Sequence, residues 1–335
     1  MSPPLPPTPE HPHAPPRWIV AVPARDEAQR IGACLRALDI AAAGTPAEVC
    51  VFVLVNDHGD APERGTAAAV RAAAFALRRV TVSQRSVRLP EGSAHAGGAR
   101  RRAVAEAFAW TGARAADRLL TTDADARLAP DAFTRLDEAF ARGAALALAE
   151  IVCVTDPFDP VPQAVLDWGT PEVLWRHRVR HLAETIRLGR WPDRRCHDDY
   201  GGAGIAARVA AYRALGGFPP VPSEEDLRFV RAADEAGLPV DRGSGAVVHV
   251  LARATGRAVG GMASALAANA AALARAAPRR VERHDLTLAR LRADASPARV
   301  FCPVPAATEP VHDALRGIEC ALAALGPSPD RRVPA

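Results

Sequence analysis

The chain has 335 residues, 49% hydrophobic and 24% charged, with a formal net charge of +4. That length can bury one large core or two modest ones, and the composition is ordinary for a soluble globular protein. All 42 basic residues are arginine, scattered among 38 acidic ones; no long positive run marks a nucleic-acid or membrane-surface binder, and no apolar run reaches membrane-spanning length.

Residues 1–16 are rich in proline and histidine and lack the basic and apolar regions of a signal peptide, which predicts a disordered tail. The six cysteines are far apart and form no C-x-x-C pair, a pattern that predicts reduced thiols in a cytoplasmic protein. Trp18 to Pro23 reads as a buried strand, and Glu27 to Ala43 as a helix with Ile31, Leu35 and Leu38 on one face, stopped by Gly44-Thr45-Pro46. Val49 to Val55 is a continuous apolar run, as in a parallel strand buried on both faces, and ends in Asn56-Asp57. A helix over 67–78, a short strand Val80 to Val82, a loop holding Gly92, Gly97 and Gly98, and a helix over 99–110 follow. The next strand, from Leu119, runs out into Asp123-Ala124-Asp125. This β-α-β-α succession predicts a doubly wound α/β sheet with its polar residues gathered at one edge.

Asp123 and Asp125 are spaced i, i+2, so their side chains point to the same side of an extended backbone. In an open α/β sheet ligands bind past such strand ends, and two carboxylates there suit a hard cation, Mg²⁺ or Mn²⁺. A helix cap is the competing reading, but the helix begins later, at Pro130-Asp131. Further on come a strand over 145–154 and a long helix over 161–188. Trp168, Trp175, Trp191, His197 and Tyr200 are the supply of aromatic faces for an acceptor pocket, with most of them expected in the core. Gly201-Gly202-Ala203-Gly204 lacks the spacing and the preceding strand of a dinucleotide fingerprint. Glu224, Glu225 and Asp226 open another helix, where acids also serve the dipole. Val247 to Val250 is a late strand carrying His249. An alanine-rich helix to Ala277 and a helix over 310–325 close the chain, to pack on the core or on a second copy in a homo-oligomer.

Six segments in order over residues 18–261 resemble the family 2 glycosyltransferases, nucleotide-sugar-dependent enzymes of the GT-A fold. They are Val22-Pro23-Ala24-Arg25-Asp26-Glu27, Asn56-Asp57, Gly97-Gly98-Ala99-Arg100-Arg101, Asp123-Ala124-Asp125, Ala211-Tyr212-Arg213-Ala214-Leu215-Gly216-Gly217-Phe218, and Glu225-Asp226 upstream of Ala236-Gly237. The resemblance implies a GT-A domain over 17–261, with 262–335 as a helical C-terminal extension whose end is disordered. It implies metal-assisted, inverting transfer from a nucleoside-diphosphate sugar to an unidentified acceptor hydroxyl. It also implies roles: Pro23, Ala24, Arg25 and Glu27 line the nucleoside pocket, Asp57 accepts from base or ribose, and Arg101 reaches the diphosphate. Asp123 lies near the ribose or metal, and Asp125 and His249 ligate the metal. Asp226 is the base, with Glu225 positioning the acceptor. By the same resemblance the loop after His249, with Arg253, Arg257 and three glycines, folds over the nucleotide. From the residues alone, Asp57 can equally be a turn former, His249 a structural histidine, and any of the three neighbouring acids the base. A nucleotidyltransferase would need a glycine-rich basic loop after the first strand, which Val22 to Asp26 is not; an inactive binder would not need acids at 57, 123, 125 and 226.

Overall fold

A computed structural model describes residues 15–57, 65–256, 260–301 and 305–325. The first half alternates as predicted, from β1 (Trp18–Ala24), α1 (Ile31–Ala41), β2 (Val49–Asp57) and α2 (Thr66–Ala74) to β3 (Val80–Arg88), α3 (Ala96–Thr111) and β4 (Arg118–Thr121). A short β5 (Arg127–Leu128), α4 (Ala132–Ala141), β6 (Leu146–Leu148), β7 (Glu150–Thr155) and the long α5 (Gln163–Leu188) follow. Then come β8 (Ile205–Arg208), α6 (Val209–Ala214), α7 (Glu225–Glu235), β9 (Val240–Asp241) and β10 (Val247–Ala252). The C-terminal part consists of α8 (Met262–Ala274), β11 (Arg280–Glu282), α9 (His284–Ala293), β12 (Thr308–Pro310) and α10 (Val311–Ala324).

Seven strands form the central sheet in the order β3-β2-β1-β4-β8-β6-β9. β3, β2, β1 and β4 are mutually parallel, whereas β8 runs antiparallel to both of its neighbours. Both faces are covered, which is why β1 and β2 read as unbroken apolar runs. Along β1, Trp18, Val20, Val22 and Ala24 enter the core that includes Ile31 and Leu35 of α1 and Phe133 of α4. Ile19 and Ala21 enter the opposite core, with Val104 of α3 and Phe229 of α7. A third core joins α5 to the C-terminal part through Val179 and Leu182 against Leu291, Val311 and Ile318.

Two sequence expectations change. The apolar run over 145–154 is two strands: β6 stays in the central sheet, while β7 pairs with β10 in a separate sheet ordered β5-β10-β7. Gly97 and Gly98 lie inside α3 rather than in the loop before it. Their bareness is a packing requirement, since a Cβ on Gly97 would meet the Val221 carbonyl oxygen at 2.3 Å and one on Gly98 the Ser93 carbonyl oxygen at 2.2 Å. Residues 1–14, Arg257 and the last ten residues, on which parts of the tail and lid readings rest, lie outside the described residues.

Candidate active site

The chain builds β1, β2 and β3 outward in one direction, then returns to place β4 on the other side of β1. That reversal leaves a crevice past the carboxyl ends of β1 and β4, the place where open α/β sheets bind ligands. A cleft of about 570 Å³ occupies it, within the range of small-molecule and cofactor sites. Of the residues expected to bind a donor, Pro23, Arg25, Glu27 and Asp123 line it; so do Asp125, Glu225 and Asp226. The fold therefore brings three distant segments to one cavity.

Arg100 joins these segments. It is 5% exposed. Its Nη2 donates to Asp123 Oδ1 at 3.0 Å, its Nε to Glu225 Oε1 at 3.0 Å, and its Nη1 to the Gly202 carbonyl at 2.8 Å. The planar fork of arginine can satisfy three acceptors in fixed directions, which the point charge of lysine cannot. A Cβ on Gly202 would lie 2.1 Å from Arg100 Nη2, so any side chain there would displace the guanidinium from its acceptors. The first turn of α3 borders the cleft through Ala96 and Ala99, and His95 Nδ1 caps it by accepting from the Gly98 N–H at 3.1 Å. A helix start of this kind favours anions.

On the other side Arg253 bridges two carboxylates, with Nη2 2.8 Å from Asp125 Oδ2 and Nη1 3.0 Å from Glu27 Oε1. The network continues through Arg30, which lies between Glu27 and Asp156. Burial, helped by the charges on Asp123 and Glu27 and opposed by Arg253, pushes the Asp125 carboxyl up to about 7.

The three acids that open α7 separate by environment. Glu224 is exposed and has a left-handed backbone, φ +62°, a strained geometry for a side chain of this size. Glu225 is buried and held by Arg100. Asp226 lines the cleft, with Oδ2 accepting from the Gly202 N–H at 2.9 Å and Oδ1 from the Leu227 N–H at 2.8 Å. Burial and the neighbouring Glu225 push its pKa above the usual carboxylate range, against the pull of Arg100.

Four expected residues are not brought to the cleft lining. Ala24 points into the core and is 3% exposed, because Pro23 and Arg25 on either side take the opposite face of the extended chain. The same alternation sends Asn56 into the cleft in place of Asp57; Asp57 Oδ1 is buried without a hydrogen-bond partner among the described residues. Arg101 is exposed and donates to the Gly216 and Phe218 carbonyls at 2.8 and 2.7 Å, pinning the turn before α7. Helical rotation allows only one of the three consecutive arginines to face inward, and it is Arg100. His249 sits between Arg127 and Val152 in its sheet. It lies one residue, roughly 3.3 Å along the strand, short of Val250, the first residue of β10 to line the cleft.

Among the described residues no three His, Cys, Asp or Glu side chains converge on a cation position. The two carboxylates, Asp123 and Asp125, would suit Mg²⁺ or Mn²⁺ once each exchanges its arginine partner, Arg100 or Arg253, for the ion, with the remaining positions open to diphosphate and water oxygens. Sequence reasoning missed Asn56, Arg100 and Gly202 as cleft residues. Gly202 was legible only as part of a glycine-rich segment, and nothing local distinguishes Arg100 from its neighbours.

No family model and no curated protein sequence matches the chain. Solved structures similar to it include S. aureus TarS 1-349, at 17% identity and TM-score 0.43, covering 70% of this chain and 60% of that one. The chain thus spans less than two thirds of that structure. Mannosyltransferase PcManGT from Pyrobaculum calidifontis, in complex with GDP-Man and Mn²⁺, is similar at 17% identity and TM-score 0.45, over 94% of this chain and 88% of that one. A 4-diphosphocytidyl-2C-methyl-D-erythritol synthase is similar at 16% identity and TM-score 0.36, over 68% of this chain and 90% of that one. Likeness at this level does not assign a reaction. Among the described residues no helix is long and apolar enough to cross a membrane, and Cys34, Cys50, Cys153, Cys196 and Cys320 are free thiols.

Proposed function

We propose that this protein is a GT-A glycosyltransferase of the family 2 type, moving a sugar from a nucleoside-diphosphate donor to an acceptor hydroxyl with inversion. The observation that carries the reading is that one cleft, at the sheet's switch point, holds both the Asp123/Asp125 pair and Asp226, with Arg100 tying Asp123 to Glu225 beside Asp226. Pro23, Arg25 and Asn56 line the end beyond β1 and β2, where a nucleoside fits. The α3 start and Arg253 provide positive ends for the diphosphate.

Asp123 and Asp125 would hold the divalent cation, which when bound neutralises charge developing on the leaving diphosphate. Asp226 takes the proton of the acceptor hydroxyl as that oxygen bonds to the anomeric carbon. The bond from that carbon to the phosphate oxygen breaks, and the nucleoside diphosphate leaves with the electron pair. Its raised pKa suits Asp226 to this task better than an ordinary carboxylate, because a base works best when its pKa lies near the operating pH. Glu225, committed to Arg100, positions the Asp123 loop and α7 relative to each other. The free thiols are consistent with a cytoplasmic setting as part of this reading.

A thermal-shift panel of UDP, GDP, dTDP and CDP, each with and without Mn²⁺, tests the proposal, since a ligand that binds the native state raises its stability. One nucleotide is expected to stabilise the protein, more so with metal, and Asp125→Ala is expected to abolish the metal-dependent part. Absence of stabilisation by all four nucleotides overturns the reading.

A further inference from the structure

A second cavity, about 270 Å³, lies between α5, α7 and the C-terminal part. It shares two residues with the cleft, Tyr200 and Leu227, and Leu227 directly follows Asp226. Its wall on α7 is formed by Leu227, Val230, Arg231 and Asp234, the i, i+3, i+4, i+7 stripe of one helix face. A molecule lying along this stripe from Arg231 reaches Asp226 after five residues of helix, roughly 7–8 Å, about the length of a sugar ring with one substituent. The opposite wall presents aromatic rings: Trp175 and Phe301 pack edge to face at 5.8 Å, and Tyr200 is latched by Arg176, whose Nη2 donates to its hydroxyl at 2.7 Å.

The charges of this cavity are unequally spent. Arg176 and Arg180 both pair with the buried Asp198, and Arg242 pairs with Asp234. Arg280 donates to Thr308 but has no carboxylate partner among the described residues, and Arg231 has no polar partner among them. Arg231 of α7 and Arg280 of β11 thus line the cavity as exposed guanidinium groups without a carboxylate partner among the described residues, while the Glu172 and Glu282 carboxylates of the same lining are taken by Arg279 and Arg290. Such a surface favours a ring with an anionic substituent, because arginine binds carboxylate or phosphate through its fork while the ring stacks on the aromatic faces. Arg280 and Phe301 come from the C-terminal part, which gives that region a role in recognition beyond packing.

We infer that this cavity is the acceptor subsite and that it selects acceptors carrying a carboxylate or phosphate about one sugar ring away from the hydroxyl that reacts at Asp226. The acceptor role rests on the glycosyl-transfer reading above; recognition of the anion does not. The test measures equilibrium binding of methyl glucuronide, glucose 6-phosphate and neutral methyl glucoside to the full chain by calorimetry, with the nucleotide panel run in parallel. At least one anionic sugar is expected to bind about tenfold or more tightly than the neutral one, and Arg231→Ala to remove that preference, the loss expected for one charge-assisted hydrogen bond. Arg280→Ala is the second variant, since both side chains are exposed and neither substitution endangers the fold. Equal affinity for charged and neutral sugars, no binding of either, or a preference that survives both substitutions overturns the inference. Anionic sugar binding with no nucleotide binding overturns the glycosyl-transfer reading and the acceptor role alone, while nucleotide binding without an anion preference overturns the subsite alone.

Discussion

In the proposed reaction, Asp226 couples catalysis to stability through one group. Its pKa is raised by burial and Glu225, so the fold disfavours its ionised form, yet a base must be ionised to accept a proton. Asp226→Asn keeps the shape and should lower kcat by about 10² or more, while stability at neutral pH should change little, since a disfavoured charge is gone but the amide NH2 replaces one of the two oxygens that accept from the Gly202 and Leu227 N–H groups. Turnover assays and denaturant titration of the same variant check both halves; an unchanged kcat would pass the role of base to Glu225. Wild-type kcat should fall as pH drops through a value above the ordinary carboxylate range. Arg100 behaves differently, since its three acceptors lie in three segments. Arg100→Lys retains the charge but cannot span them, leaving Glu225 buried with a poorer partner. A stability loss of up to about 3–5 kcal/mol, the cost of breaking a buried ion pair, is expected in denaturant unfolding, together with weaker nucleotide binding.

At the scale of elements, α3 is placed by the absence of side chains. Gly97 lets its first turn meet the 219–225 loop, where Val221 and Pro219 carbonyls would lie 2.3 and 3.1 Å from a Cβ. Gly97→Ala should therefore displace α3 from α7 and cost about 1–3 kcal/mol, the usual cost of overpacking, despite the better helix propensity of alanine. Chemical denaturation measures the cost in stability and the nucleotide shift the displacement. An alanine variant as stable as the parent would mean that the 219–225 loop yields freely. β10 shows the same principle in a strand. Its residues continue the run expected from Val247, but its partners are β5 and β7, and this second sheet brings Arg253 against Asp125.

For the whole molecule, Asp117 ties the chain ahead of β1 to the start of β4. It is fully buried and accepts from the Arg17 backbone N–H and side chain and from Arg114. Burial pushes its carboxyl up, but these hydrogen bonds outweigh it and hold the pKa down at about 2. A carboxyl lowered on folding stabilises the native state above its unfolded pKa, about 3.9, and that stabilisation is lost as pH falls through the folded value. Unfolding midpoints should decline between about pH 4 and pH 2, and Asp117→Asn should flatten that part of the curve while lowering stability at neutral pH. The third core works on the same scale, since removing residues 277–335 would bare Val179 and Leu182 of α5 to water. Such a truncation should aggregate or lose the α5 helix, as circular dichroism and light scattering would report.

The sequence by itself determined the order and burial of the parallel strands, the position of the paired aspartates past the fourth strand, and the acids at the start of α7. Each of these is a local property: apolar runs, i, i+2 spacing, a helix start. Only the tertiary structure decided which member of each local set acts in the cleft. Asn56 faces it and Asp57 does not, because the strand's exit direction fixes which parity points inward. Arg100 enters while Arg101 pins a turn, because the rotation of α3 is set by the contacts of Gly97 and Gly98. Arg253 meets Glu27 across 226 positions of sequence, and the aromatic and arginine walls of the second cavity come from α5, α7 and the C-terminal part together. Contacts of that range depend on how whole elements pack, and no window of neighbouring residues encodes them.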